Sequence, residues 1–269
     1  MKYIDVHSHL HFSAYDEDRD DVLLRMQEER VGTITVGTSL EHSKEAVELA
    51  EKHDNVFASI GVHPNDSVKE PFDEGAFREL VVNEKVVAIG ECGLDYYRSD
   101  ISDEKVKKAQ YKEFEKHIAF AEKYKKPLML HIRPSINSMD AYEDALAILA
   151  SHPFVIGDTH FFAGTYTIAK KFWERGFMTS FTGVITFADQ YNDVVRNAPL
   201  NMIMAETDAP YVTPVPFRGK RNEPIFVQQV VERIADIRKE PRERVQIELV
   251  KNAEQCFKLP PEAFLQKMV

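Results

Sequence analysis

Two cysteines in 269 residues, Cys92 and Cys256, without CxxC spacing, cannot supply a secreted disulfide framework. Long hydrophobic runs are missing too. No stretch approaches the roughly 18–20 apolar residues that span a bilayer, and Met1-Lys2-Tyr3-Ile4-Asp5 lacks the apolar core of a signal peptide. The expectation is a soluble, cytoplasmic protein with no membrane association and no stable protein partner implied. Positive charge is in deficit: 34 Lys and Arg face 44 Asp and Glu, for a formal net charge of −10. That excludes a protein coating nucleic acid through a broad basic surface. It does not exclude an enzyme acting on nucleic acid, because metal ions in a cleft can supply positive charge locally. No Gly-rich phosphate-cradling motif is present, so nucleoside triphosphate binding is not expected.

What the chain does have is enough apolar content, 43%, for a sizeable core. Strand-like apolar runs alternate with amphipathic helical stretches eight times: Tyr3–Val6, Gly32–Val36, Val56–Ile60, Val86–Ile89, Leu128–Leu130, Phe154–Ile156, Phe177–Phe181 and Met202–Ala205. Near-continuous runs of this kind suit strands buried on both faces of a parallel sheet. Between them, Asp20–Arg30, Glu41–His53, Asp103–Tyr124, Asn222–Arg238 and Arg242–Phe257 carry helical periodicity, and Asp103 and Glu104 give one helix an acidic first turn. Eight units without a linker or low-complexity break predict an α/β fold, a (β/α)8 TIM barrel forming a single domain over residues 1–269. A doubly wound open sheet is the alternative.

Barrel active sites lie at the C-terminal ends of the strands, and polar residues fall there in this chain. His7 and His9 follow run 1 as a His-x-His pair whose side chains share one side of the strand. His63 follows run 3, Glu91 run 4, His131 run 5, His160 run 6, and Glu206 and Asp208 run 8. Imidazole and carboxylate are the usual ligands of zinc-like and other divalent ions. Four histidines (His7, His9, His131, His160) with Glu91 and Asp208 exceed the needs of one catalytic ion and suit two, roughly 3.5–4 Å apart, sharing a carboxylate. Strand 4 lies between the histidine-bearing strands, which makes Glu91 the expected bridge. Asp208, returning beside strand 1 on closure, is the expected ligand that also takes a proton from the attacking water. Asp5 reads as a strand-end hydrogen-bonding residue, and Cys92 as packing.

A second informative segment follows Asp208. Arg218, Lys220 and Arg221 place three cations within four residues, which in an acidic protein suggests an anionic substrate such as a phosphate ester. Arg133, two residues after His131, is a candidate phosphate contact from the same rim. Tyr96, Tyr97 and Phe162 either stack on bases or pack. The acidic run from Asp16 to Asp21 reads as a solvated helix start.

These motifs resemble the TatD family of metal-dependent hydrolases, often called TatD-type deoxyribonucleases. The matching segments are Asp5-Val6-His7-Ser8-His9-Leu10, Gly61-Val62-His63-Pro64, Gly90-Glu91-Cys92-Gly93-Leu94-Asp95-Tyr96, Pro127 to Arg133, His160 to Gly164, Gly183 to Phe187, and Glu206-Thr207-Asp208-Ala209-Pro210-Tyr211 through Pro224. The resemblance implies a two-metal barrel hydrolase that cleaves DNA phosphodiester bonds by metal-activated water, as a 3′→5′ exonuclease preferring single-stranded ends. It implies magnesium in the cell, with zinc, manganese or nickel able to occupy the same ligands. It also places His63 and Glu206 in the pocket, as substrate contacts or ligands of an additional ion. Ser8 and Phe161 depart from the family, where cysteine is frequent, and neither is a proposed ligand. Competing readings are removal of D-amino acids from transfer RNA or cleavage of another ester at the same site, a lactonase or amidohydrolase acting on a small neutral molecule, and a non-catalytic binding protein on a barrel scaffold.

Overall fold

Seven of the eight apolar runs become strands, and the remaining strand forms beside its run. The computed structural model describes residues 1–67, 69–99 and 104–260. Asp103 of the expected acidic helix start, and residues 261–269 of the expected domain, lie outside them. The strands are β1 (Tyr3–Ser8), β2 (Val31–Val36), β3 (Val56–Ile60), β4 (Val86–Asp95), β5 (Leu128–Arg133), β6 (Gly157–His160), β7 (Phe177–Phe181) and β8 (Ile203–Ala205). Each pairs in parallel with the next, in sequence order. The ring closes where Ser8 bridges Ala209. There His9 N–H donates to Ala209 O at 2.7 Å and Asp208 N–H donates to His7 O at 2.9 Å. The fold is thus the closed (β/α)8 barrel rather than an open doubly wound sheet.

The helices, as far as the described residues go, are α1 (Arg19–Glu28), α2 (Leu40–Lys52), α3 (Glu74–Val81), α4 (Glu104–Tyr124), α5 (Asp140–Leu149), α6 (Tyr166–Glu174), α7 (Asn192–Asn197), α8 (Val227–Arg238) and α9 (Arg242–Phe257). Local sequence starts several of them. Ser39 accepts from His42 N–H ahead of α2, Asp73 from Gly75 N–H ahead of α3, and Thr165 from Ile168 N–H ahead of α6. None is long and apolar enough to cross a membrane. Their apolar faces pack on the outside of the barrel, where Phe77, Phe114, Phe172 and Leu23 are buried, each burial being worth roughly 1.5–3 kcal/mol. A second cluster joins Ile4, Val6, Ile34, Phe57, Met129 and Met204 with Ala253, Cys256 and Phe257 of α9.

Several boundaries differ from the sequence reading, three of them informatively. Strand β6 is Gly157–His160, after the run Phe154–Ile156, and Phe154 is 90% exposed. The true strand looks polar because Asp158 is buried, with its Oδ2 2.6 Å from the Ser180 hydroxyl oxygen. Strand β4 continues to Asp95, past the expected end at Ile89. Gly90 and Gly93 interrupt its apolar run, yet both are required by the pairing with β5. Gly93 has φ 136°, and a Cβ there would lie 2.2 Å from His131 O. The helical stretch expected from Asn222 begins as a 3₁₀ turn, Pro224–Phe226, before α8.

Bulges fall on two strands. One extra residue lies in β1 between Asp5 and Ser8 relative to β2, and one in β4 between Ile89 and Cys92 relative to β5. Bulges re-aim side chains and are enriched beside active sites. Those two sit at His7 and Glu91, whereas a further one in β4, between Val86 and Ala88 relative to β3, does not.

His117, which the sequence left without a role, ties the barrel to α4. Its Nδ1–H donates to Glu113 O at 2.7 Å, and its Nε2 accepts Val62 N–H at 3.0 Å, one residue before His63. Burial lowers its pKa from 6.5 to about 4. The unfolded chain therefore binds the extra proton more readily between these values, and stability present above pH 6.5 is lost as pH falls toward 4. The expected loss is roughly 3 kcal/mol. Denaturant titrations at pH 7 and pH 4.5 should show His117→Gln flattening this dependence; an unchanged slope would remove His117 as its source.

Candidate metal centre

The C-terminal strand ends bring the expected ligands together. His7, His9, Glu91 and His160 are buried, while His131 and Asp208 are partly accessible. All but the fully buried His7 line a cavity of about 760 Å³, whose wall also includes His63, Arg98, Arg133 and Tyr211.

Several histidines are oriented from behind. His9 Nδ1 lies 2.8 Å from Val36 O, which can only accept, so Nδ1 carries the proton and Nε2 presents its lone pair to the site. His131 Nε2 lies 3.1 Å from Asp95 Oδ2, leaving Nδ1 to face inward. Burial alone would raise the Asp95 carboxyl, but His131 and local hydrogen bonds hold it well below its ordinary range, so it accepts as an anion. His160 Nδ1 stands 3.6 Å from Glu206 Oε1. The His7 ring stacks on His160 at 3.8 Å, with its buried Nδ1 unpartnered among the described residues. Asp5, as its strand-end reading implied, accepts Thr207 N–H at 2.8 Å and Thr207 Oγ1–H at 2.7 Å, pinning the segment that carries Asp208.

Glu91 stands between two histidine pairs. Its Oε1 lies 2.7 Å from His131 Nδ1 and 2.9 Å from His160 Nε2. Its Oε2 lies 3.6 Å from His7 Nε2 and 3.9 Å from His9 Nε2. Asp208 Oδ1 joins the second pair, 3.5 Å from His9 Nε2 and 3.8 Å from His7 Nε2.

These donors fit divalent ions. His7 Nε2 and His9 Nε2 are 3.4 Å apart, and His131 Nδ1 and His160 Nε2 are 3.3 Å apart. Two nitrogens around one tetrahedral ion are separated by about 3.4 Å. Facing lone pairs at this distance repel unless a proton or cation lies between them. The carboxylates pull in the same direction. Burial would lower the His160 pKa, but Glu91 and Glu206 outweigh it and raise it well above the ordinary value. Burial also opposes ionisation of Glu91, yet the charge of His160 and hydrogen bonds from His131 and His160 hold its pKa well below the usual range. The centre favours positive charge, and divalent ions would supply it.

The remaining expected contacts divide. Arg133 reaches the cavity wall with its guanidinium over the Tyr97 ring at 4.0 Å. His63 also lines it; its Nδ1 accepts Asn65 N–H at 3.2 Å, which puts the ring proton on Nε2, 3.7 Å from Glu91 Oε1. Burial lowers its pKa to about 3, so the ring is neutral, and with Asp95 and His131 it forms another group of metal-type donors. Glu206 is fully buried behind His160, accepts Phe161 N–H and Ser180 Oγ–H, and with His7 and His160 forms a further group of metal-type donors. Arg218 is outside the cavity lining: it lies over Phe187 at 4.0 Å and donates to Thr213 O. Its neighbour Arg221 is drawn away by two bonds to Asp18, at 2.7 and 2.6 Å, which also takes Asp18 out of the solvated helix start. Tyr96 and Phe162 are core residues, whereas Tyr97 is 52% exposed. Cys92 is buried, and burial pushes its thiol pKa well up, as a packing residue requires.

Two left-handed residues border the centre, Phe161 at φ 46° and Asp208 at φ 55°. Such backbone costs about 1–3 kcal/mol per residue and persists where surrounding bonds enforce it; the Glu206 and His7 contacts do so here. Asp95 and Arg98 were missed from the sequence. Asp95 lies four residues after Glu91 on the same strand, an even offset that was a usable signal once β4 was extended. Replacing it with Asn should weaken metal affinity by about 10- to 100-fold, as measured by competition with a chromophoric chelator. Unchanged affinity would show that His131 needs no such partner.

With this geometry in place, comparison with known proteins is informative. Residues 4–258 match the family model described as TatD related DNase. The chain is 36% identical over 261 residues to the uncharacterized metal-dependent hydrolase YabD of Bacillus subtilis, covering 95% of this chain and 98% of YabD. It is 37% identical over 243 residues to the uncharacterized metal-dependent hydrolase YcfH of Escherichia coli, covering 87% and 88%. Among solved structures, the TatD homolog YJJV of E. coli superposes with a TM-score of 0.85 at 26% identity, covering 96% of this chain and 99% of that one. The motifs, the barrel and these relatives agree: the chain belongs to the TatD family of metal-dependent hydrolases.

Proposed function

We propose that this protein hydrolyses phosphodiester bonds of DNA, shortening single-stranded ends from the 3′ side. His7, His9, Glu91 and Asp208 would hold one divalent ion, and Glu91, His131 and His160 a second. The observation that carries the reading is Glu91, whose two oxygens face different histidine pairs. Such ions, magnesium in the cell, would supply a nucleophile at neutral pH and polarise the phosphoryl oxygens.

The chain's own groups do the rest. Burial would raise the Asp208 pKa, but the His9 hydrogen bond and the nearby histidines hold it below the ordinary carboxylate value. Asp208 is therefore ionised and orients the attacking water while accepting its proton. The His63 Nε2–H and the Arg133 guanidinium donate to the non-bridging oxygens, where charge builds as the bond breaks. Asp95 and Val36 O keep His131 and His9 in the ligating tautomer. The DNA substrate and 3′ polarity follow the family resemblance, and the family's description as TatD related DNase supports the DNA substrate.

Digestion of 5′-labelled single-stranded DNA in magnesium tests this. A ladder shortening from the 3′ end is expected, with Asp208→Ala slower by about 10²–10⁴-fold. Undiminished metal-dependent cleavage by the variant would overturn the role of Asp208. No cleavage by folded, metal-loaded wild type would overturn the nuclease reading and favour another ester, such as aminoacyl-tRNA.

A further inference from the structure

Two arginines at the open end of the barrel, one ending a strand and one in a loop, have their guanidinium groups over exposed aromatic rings. Arg133, at the end of β5, is 4.0 Å from the centroid of Tyr97, just after β4. Arg218, in the loop after β8, is 4.0 Å from the centroid of Phe187, in the segment after β7. The rings are 52% and 45% exposed. The third Arg–aromatic stack, Arg221 over Tyr15, differs: Tyr15 is fully buried and Arg221 is tied to Asp18. In a chain with ten more acids than bases, Arg19, Arg25, Arg233, Arg238 and Arg242 have a carboxylate partner, while Arg30, Arg78, Arg98, Arg175 and Arg196 have none within 4.0 Å among the described residues but lie over no aromatic ring there. Arg133 and Arg218 likewise have no carboxylate partner within 4.0 Å among the described residues.

We propose that Tyr97·Arg133 and Phe187·Arg218 are two base-stacking platforms that grip a single strand on either side of the metal centre. The proposal rests on the nucleic-acid reading of that centre and specifies how the strand is recognised. An aromatic ring backed by a guanidinium offers one free π-face to an unpaired base and a planar cation to the neighbouring phosphate. Stacking of this kind tolerates every base and requires that the base be unpaired. It therefore gives preference for single strands over duplex without sequence readout. Tyr97 is beside the cavity wall formed by Arg133 and Arg98, and holds the nucleotide nearest the centre. Phe187 is three strands farther round the ring and engages a more distant one, so very short oligonucleotides lose one of the two grips.

The test is binding of a fluorescent 10-nucleotide single strand with phosphorothioate linkages, followed by anisotropy with magnesium-loaded protein. The comparison probe is an abasic strand of equal length and charge. Tyr97→Ala and Phe187→Ala should each weaken binding of the normal strand by about 5- to 150-fold, and Tyr97→Phe should restore it. The abasic strand should bind wild type weakly and respond little to either Ala substitution. Equal binding of the two probes, or Ala variants that bind as wild type does, would overturn the platforms while leaving a nuclease that holds its substrate by phosphate alone. No binding of either probe would overturn both the platforms and the nucleic-acid reading.

Discussion

The buried carboxylate of Glu91, placed between two pairs of inward-facing imidazoles, is the constraint on which the rest of the structure depends. Each oxygen meets a different pair. Within each pair the nitrogens stand 3.3–3.4 Å apart. Such an arrangement is unfavourable in isolation, because lone pairs face lone pairs and an anion loses its hydration. It is tolerable only in a scaffold rigid enough to enforce it and with cations to neutralise it. Divalent ions would meet the second need and link metal binding to folding free energy.

The barrel meets the first need. The outer helix–sheet core fixes the strands, and the cluster joining β1, β3, β5 and β8 to α9 fills the interior. That leaves the C-terminal strand ends for polar groups. Bulges in β1 and β4 aim His7 and Glu91, and glycines 90 and 93 let β4 approach β5 where a side chain would collide. Asp5 locks the segment after β8 against β1, which brings Asp208 to the histidines of the opposite end of the chain. Behind the ligands, Val36 O, Asp95 and Glu206 contact the ring nitrogens that face away from the centre.

Much of this was legible in the residues themselves. The His-x-His pair, the strand-end Glu91, His131, His160 and Asp208, and the eightfold alternation needed only strand parity and the polarity of barrel strands. Other features were hidden for physical reasons. β6 reads as polar because Asp158 is buried with a hydroxyl partner, so hydropathy assigned the strand to the exposed run ahead of it. Asp95 lay beyond two glycines that resemble a strand end but serve close strand packing. The basic loop could not be resolved from sequence, because the distant Asp18 decides that Arg221 turns away while Arg218 finds an aromatic ring. Whether a charge is available depends on its partner, and partners such as Asp18 and Arg221 are 203 residues apart.

Glu91 is placed so that it would join two divalent ions in one centre. Metal content by plasma mass spectrometry, after equilibration with zinc or manganese and removal of free ions, tests it most directly. Two ions per wild-type chain are expected, falling to one or none in Glu91→Ala with the folded far-ultraviolet spectrum retained. A single ion in the wild type, or two retained without Glu91, would contradict a shared-carboxylate centre.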